Sequence, residues 1–165
     1  MKRALLSVVV ALQFCSLLMA QTESDNKSLK GLTAVSVAVD PIDPDIEREG
    51  LSRNQIQKEV EVRLKTGGIK VLAPAESPAT PGQPRLYISV NAMKGSTSIY
   101  SYSIEISLQQ RVTLERDPQV SVMGSTWTTG SVGFVGAAKI GGIIVKITDL
   151  VGDFLEAWRS ANPKK

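Results

Sequence analysis

The sequence predicts an α/β fold (α+β), a two-layer sandwich in which a five-stranded mixed sheet carries two helices on one face. Three observations predict it. Short alternating apolar segments indicate strands, two segments with apolar residues three and four apart indicate amphipathic helices, and the elements follow one another as β-α-β-β-β-β-α. Each helix has one apolar face, and the strands supply the apolar sheet face that covers it.

The clearest strand spans residues 99–114, IYSYSIEISLQQRVTL. Seven of its eight even positions are apolar, with Gln110 the exception, and every odd position after Ile99 is polar. A membrane barrel would need at least about eight segments of this kind, which the chain does not offer. We therefore predict the long middle strand of a soluble sheet, with a bend near Gln110 or a projection at the Tyr100–Tyr102 end.

The remaining strands are shorter. Alternation predicts them at 32–39, 69–73, 86–93 and 119–128. Strands 86–93, 99–114 and 119–128 are joined by short loops, which predicts an antiparallel meander. The first strand, the first helix and the second strand should form a right-handed parallel crossover.

Two helices are expected, at 53–66 and at about 140–160. Ser52 and Gln55 have the spacing of a capping box at the start of the first helix, and Gly67-Gly68 ends it. The second helix has a wide apolar face that includes Ile147, Phe154 and Trp158.

Three connections separate these elements. Residues 40–50 contain two prolines and five acidic residues, so we expect a solvated connection before a helix N-terminus. Residues 74–84 contain four prolines, which indicates an exposed loop. Residues 130–142 are rich in glycine and should pass close under the sheet or bend before the last helix.

The N-terminus has the layout of a secretory signal peptide. Lys2 and Arg3 precede an apolar stretch that runs to Leu18, and small or apolar residues lead to an expected cleavage after about Ala20. We therefore assign residues 1–20 to a signal peptide, 21–30 to a flexible leader and 31–162 to a single sandwich domain. The predicted location is periplasmic or secreted.

Composition excludes several classes of chemistry. The chain has no histidine, and its only cysteine, Cys15, lies within the signal sequence, so histidine-based catalysis and thiol chemistry are excluded. The acidic residues of 40–50 lack the spacing of a calcium loop, and the glycines of 130–142 match no phosphate-binding motif. We predict no catalytic residue, no metal, no cofactor and no enzyme activity.

The charge argues against nucleic acid as a partner. Without Lys2 and Arg3, 17 basic residues remain against 16 acidic ones, and no basic run marks a nucleic-acid surface. An envelope protein or a membrane surface is the expected partner, with no nucleotide. The candidate contact residues are aromatic or apolar: Tyr100, Tyr102, Trp127, Phe134 and Ile140.

Three segments carry a resemblance: GLSRNQIQKEVEVRLKTGGIKVL (50–72), RLYISVNA (85–92) and ANPK (161–164). In these the chain resembles a set of exported bacterial proteins of unassigned function that carry a signal peptide and one small α/β domain. Its element order is also similar to small envelope-assembly modules, such as the N-terminal domain of the Tol-system translocation protein. Neither resemblance implies functional residues.

These observations predict an exported, non-catalytic binding or interaction module of the bacterial cell envelope. Contact would be made by surface complementarity, through a sheet edge or the 74–84 loop. The alternative is a protein that binds envelope lipid or a membrane surface through the glycine-rich amphipathic segment 130–147. A hydrolase built on carboxylates is a third hypothesis.

Overall fold

A computed structural model describes residues 25–95 and 98–163. The predicted signal peptide and residues 21–24 lie outside the described residues. The described strands are β1 (Ala34–Val39), β2 (Lys70–Val71), β3 (Arg85–Lys94), β4 (Ile99–Leu114) and β5 (Asp117–Gly136). The α-helices are α1 (Pro44–Arg48), α2 (Arg53–Gly67) and α3 (Ile143–Ala161), with short 3₁₀ helices at Ser77–Ala79 and Ala137–Gly142.

The five strands form one mixed sheet in the order β2-β1-β3-β4-β5. Strand β1 runs parallel to both β2 and β3, whereas β3, β4 and β5 form the predicted antiparallel meander. The N-terminal strands therefore make the parallel half of the sheet, and β5 is an edge strand.

Helices α2 and α3 pack on one face of this sheet, which confirms the predicted fold class. The buried stripe of α2 meets the long apolar face of α3 and the strand residues that face them, and together they form one core. Where the two helices touch, a Cβ atom at Gly67 would lie 2.5 Å from Leu155 Cδ2, so any side chain at this position would displace the buried Leu155 side chain.

Strand β4 has the predicted bounds, and its pairing with β5 is irregular close to Gln110, where a bend was predicted. Leu108 pairs with Trp127 but Gln109 pairs with Ser125, so Thr126 is an extra residue in β5. Such a β-bulge bends the strand and increases its twist. Beyond the last pair with β3, which joins Gln109 to Arg85, β4 and β5 continue alone as a two-stranded arm.

The prediction for β5 was wrong at its C-terminal end. The strand does not stop at residue 128 but continues to Gly136, so residues 130–136 form a strand rather than a flexible connection. Two neighbours explain the glycines within it. A Cβ at Gly130 would lie 2.7 Å from the Ile104 carbonyl oxygen, and one at Gly133 would lie 2.7 Å from the Tyr102 hydroxyl.

The described part of the predicted flexible leader is packed against the domain. Leu29 is fully buried, and the Asn162 side chain joins residues 29–31 to the end of α3 by donating to the Leu29 carbonyl and accepting from the Gly31 N–H. The polar composition of residues 21–30 predicted a flexible leader. The buried Leu29 and the two hydrogen bonds of Asn162 instead hold its described part against the domain.

The start of α2 also differs from the capping-box prediction. Ser52 is the N-cap residue but its side chain makes no capping hydrogen bond. Instead the Glu47 carboxylate, from α1, accepts the Arg53 N–H at 3.1 Å. The short helix α1 therefore supplies the cap. This helix was not predicted, because the two prolines of residues 40–50 indicated an irregular connection. The C-terminal end follows the prediction, because Gly68 adopts the left-handed conformation with φ 99°.

Candidate binding cleft

An open cleft of about 790 Å³ lies on one end of the sheet. It lies where the connection after β1 and helix α1 pass the ends of β3, β4 and β5. The apolar and aromatic residues that line it include Ile42, Ile46, Met93, Tyr102, Val132 and Phe134.

One wall of the cleft is built by α1. Pro44 occupies the start of this helix, where its missing N–H costs nothing, and the Asp43 carboxylate accepts the Asp45 N–H at 2.8 Å. Ile42 and Ile46 are buried at the base of the wall. The wall is therefore short, capped and apolar on its inner side.

The other side of the cleft exposes apolar side chains together. Met93, Val132 and Phe134 are 74%, 81% and 80% exposed. The strand register aligns Met93 with Ser101 and Phe134, and Asn91 with Ser103 and Val132. Side chains alternate along a strand, so these rows lie on the face opposite the buried side chains that meet the helices. We call Met93, Val132 and Phe134 the apolar rim.

The acidic residues of the 40–50 connection each have a partner, either within the connection or elsewhere in the protein. Asp40 accepts the Tyr87 hydroxyl, Asp43 caps α1, Asp45 pairs with Arg48, Glu47 caps α2 and Glu49 binds Tyr100. The described residues contain no group of three or more acidic, histidine or cysteine side chains placed to hold a metal ion. The connection thus ties α1 to the sheet and to α2.

A polar cluster closes the sheet at the Tyr100 end of β4. The Tyr100 hydroxyl and the Lys94 ammonium donate to the Glu49 Oε1 at 2.6 and 3.1 Å, and Lys94 Nζ lies 5.4 Å from the centre of the Tyr100 ring. The second carboxylate oxygen, Oε2, is buried without a hydrogen-bond partner among the described residues.

These contacts shift all three ionisation equilibria. The Tyr100 hydroxyl and then Lys94 hold the pKa of Glu49 below its usual value, while the pKa values of Tyr100 and Lys94 are raised. Neutral pH therefore leaves a carboxylate, an ammonium and a protonated phenol. The ion pair and the hydrogen bond that these groups form stabilise the corner of the sheet.

The structure separates the predicted contact residues. Tyr100, Trp127 and Ile140 are 1%, 6% and 0% exposed, so their side chains have no surface to offer a partner. Trp127 packs edge-on against Phe154 and donates from Nε1 to Asn26. Phe134 is exposed on the apolar rim, and Tyr102 lies half-buried in the cleft.

Sequence reasoning missed Met93, Val132 and the isoleucines of the α1 wall. Val132 and Phe134 carry a signal that could have found them, because they alternate with the small residues Ser131 and Gly133 as strand residues do. The glycines obscured this alternation. Ile42 and Ile46 are four apart, but the prolines between and before them suppress a helix prediction.

Comparisons with known proteins give no family. No protein-family model matches the chain. No curated protein matches it either. Among solved structures, a minor lipoprotein from Acinetobacter baumannii is similar at a TM-score of 0.34 and 9% sequence identity, over 79% of this chain and 93% of that chain. Similarity at this level does not establish a common fold.

Proposed function

We propose that this protein is an exported, non-catalytic binding protein of the bacterial cell envelope, and that its cleft receives an extended apolar segment of another envelope protein. The observation that carries the proposal is the 790 Å³ cleft whose rim exposes three large apolar side chains on one face of the sheet. Soluble proteins rarely leave such groups together in water unless they bind something.

The shape of the cleft supports a segment in extended conformation. Its floor crosses the ends of three strands, and its far wall is the short helix α1. Small polar residues, Ser101 and Ser103, lie between the rim side chains, so alternate side chains of a bound segment would meet apolar contacts and hydroxyl groups in turn.

The nearby ionisable groups favour binding over catalysis. The carboxylates closest to the cleft bind protein donors, and the neighbouring Lys94 and Tyr100 are held in their protonated forms. Recognition would then depend on shape and apolar contact. The signal-peptide pattern of residues 1–20 supports the exported location.

Binding to a membrane surface is the alternative, and one observation favours it. Within segment 130–147, Val132, Phe134 and Val145 are exposed, as are Lys139 and Lys146, the mixture that an interfacial segment needs. No helix in the described residues is long and apolar enough to cross a membrane.

Photo-crosslinking in the envelope tests the proposal. A photoreactive amino acid replaces Met93 in the exported full-length protein, and a matched variant carries it at Val122, an exposed residue of the two-stranded arm. We expect a discrete protein adduct from position 93 and none from position 122.

Three other results would contradict the proposal. Equal adducts from both positions would mean that the cleft is not selective, and no adduct would mean that it is not occupied. An adduct to phospholipid alone would instead establish the membrane alternative, together with co-flotation of the purified protein with vesicles of phosphatidylglycerol and phosphatidylethanolamine.

A further inference from the structure

The free edge of β5 offers a row of backbone hydrogen-bonding groups. The Ala137 N–H bonds to the Ser98 carbonyl across the end of β4, so odd-numbered residues in this part of β5 direct their backbone groups towards β4. Even-numbered residues therefore direct theirs outwards, where no described strand lies. These residues are all exposed: Thr128, Gly130, Val132, Phe134 and Gly136.

Both ends of this open edge are fixed by the structure. At one end the leader covers the strand, because Ser28 Oγ donates to the Thr126 carbonyl and Trp127 Nε1 donates to Asn26. At the other end the strand finishes at Gly136 and the chain turns away into a 3₁₀ helix. The open edge is thus residues 128–136, and Val132 is its midpoint.

This edge lacks the devices that usually prevent strand pairing. Residues 128–136 read TTGSVGFVG, with no proline and no charged residue. The opposite edge of the sheet is different, since β2 has only two residues and the proline-rich segment 74–84 follows it. Of the two edges of the described sheet, the one at residues 128–136 of β5 is therefore the long, uncharged one.

We infer that a second copy of this chain pairs with the first through β5, antiparallel, about a two-fold axis at Val132. Outward residues must face outward residues, so the axis must pass through a residue, and an axis at Val132 engages all five of them in each copy. Each contributes one N–H and one C=O, which gives about ten hydrogen bonds and a ten-stranded sheet.

The side chains fit this register on the exposed face. Phe134 of each copy lies opposite Gly130 of the other, and an aromatic ring covering a cross-strand glycine is a stabilising pair. The two Val132 side chains meet at the axis. Glu105 of β4 is aligned with Gly130. The next residue across the boundary between the two copies is then Phe134 of the second copy, and not another carboxylate.

The helix-covered face supplies a second, independent fit. The Tyr102 ring lies over Gly133, with its hydroxyl 2.7 Å from the position of a Cβ there, and this hydroxyl has no hydrogen-bond partner among the described residues. In the paired register Gly133 lies opposite Ser131 of the second copy. The glycine therefore lets the Tyr102 hydroxyl reach towards that serine hydroxyl.

Charge reversal at the axis tests the inference. The protein is exported from the full-length chain, purified and measured by sedimentation velocity over a range of concentrations. We expect a dimer for the wild type and a dissociation constant at least about tenfold higher for both Val132→Lys and Val132→Glu, since like charges then face each other at the axis. Mixing the two variants should restore the dimer.

The control and the contrary results are equally specific. Val122→Lys, on the same strand but outside the open edge, should leave the dimer intact, and Tyr102→Phe should weaken it about threefold through the lost hydroxyl contact. A monomeric wild type, a dimer that survives Val132→Lys, or two charge variants that fail to associate when mixed would each overturn the inference. Circular dichroism of each variant excludes misfolding as the cause. Val132 also lines the cleft, so Met93→Ala serves as a second control: it changes the rim away from β5 and should leave the dimer intact, whatever occupies the cleft.

Discussion

The C-terminal half of β5 carries two aromatic residues that lie in opposite environments. Trp127 is buried against Phe154, whereas Phe134 is almost fully exposed on the apolar rim. Both belong to one continuous strand and they are seven residues apart. An odd separation places two side chains on opposite faces of a sheet. Position along the strand, and not residue type, decides which aromatic stabilises the fold and which is available to a partner.

The largest difference is expected when each of the two aromatic residues is replaced in turn, and the larger loss should be at the buried Trp127. Trp127→Ala should lower the free energy of unfolding by about 3–5 kcal/mol, because it opens a cavity against Phe154 and removes the donor to Asn26. Phe134→Ala, the matched substitution, should change it by less than about 0.5 kcal/mol. Urea unfolding followed by circular dichroism measures both free energies. Equal losses would show that Trp127 and Phe134 contribute equally to the stability of the fold.

A smaller effect is expected at Gly133, next to the exposed aromatic residue. Gly133→Val should cost about 1–3 kcal/mol of stability, since its Cβ collides with the Tyr102 ring. Gly136→Val is the control, because nothing lies within 4 Å of a Cβ there and its φ is −72°. Tyr102→Ala in the Gly133→Val background should recover part of the loss, and a strictly additive double mutant would contradict this explanation.

The smallest effect should depend on pH, at the corner of the sheet beside the cleft. The pKa of Glu49 is lower in the folded protein than its usual 4.5, chiefly because Tyr100 donates to it. A lowered carboxyl pKa stabilises the fold above the unfolded-state pKa, and this stabilisation is lost as the pH falls through the folded-state pKa.

Tyr100→Phe should therefore lower the melting temperature at pH 7 and lower it less below pH 4. Thermal unfolding of wild type and variant across this range measures the difference. Tyr102→Phe, whose hydroxyl binds no described carboxylate, should show no such pH dependence. A constant difference for Tyr100→Phe would mean that its hydroxyl does not act through Glu49.

Local patterns predicted much of the fold. Alternation of apolar and polar residues in 99–114 predicted the bounds of β4, because side chains in a strand point in turn to the two faces of the sheet and only one of these faces is covered by helices. Helix α2 was equally predictable, since its buried stripe of Ile56, Val60 and Leu64 has a spacing of four and a glycine ends it. Both elements are specified by residues close together in the chain.

The candidate site depended on contacts between distant residues. Gly130 and Gly133 suggested a flexible segment, yet they are strand residues that accommodate Ile104 and Tyr102 of a neighbouring strand. Glu47 caps α2 from another helix, in place of the local capping box. Of the five predicted contact residues only Phe134 is exposed, because Tyr100, Trp127 and Ile140 belong to the core that the helices and the sheet form together.

That bulge gives the two parts of β5 opposite phases. Before Thr126 the even residues, such as Val122, are paired with even residues of β4, and after it odd residues are paired with even ones. A strand that is in hydrogen-bonding phase with residues 128–136 is consequently out of phase with the arm. One inserted residue thus limits how far any added strand can grow along this edge, and so favours a closed pair over an open fibre.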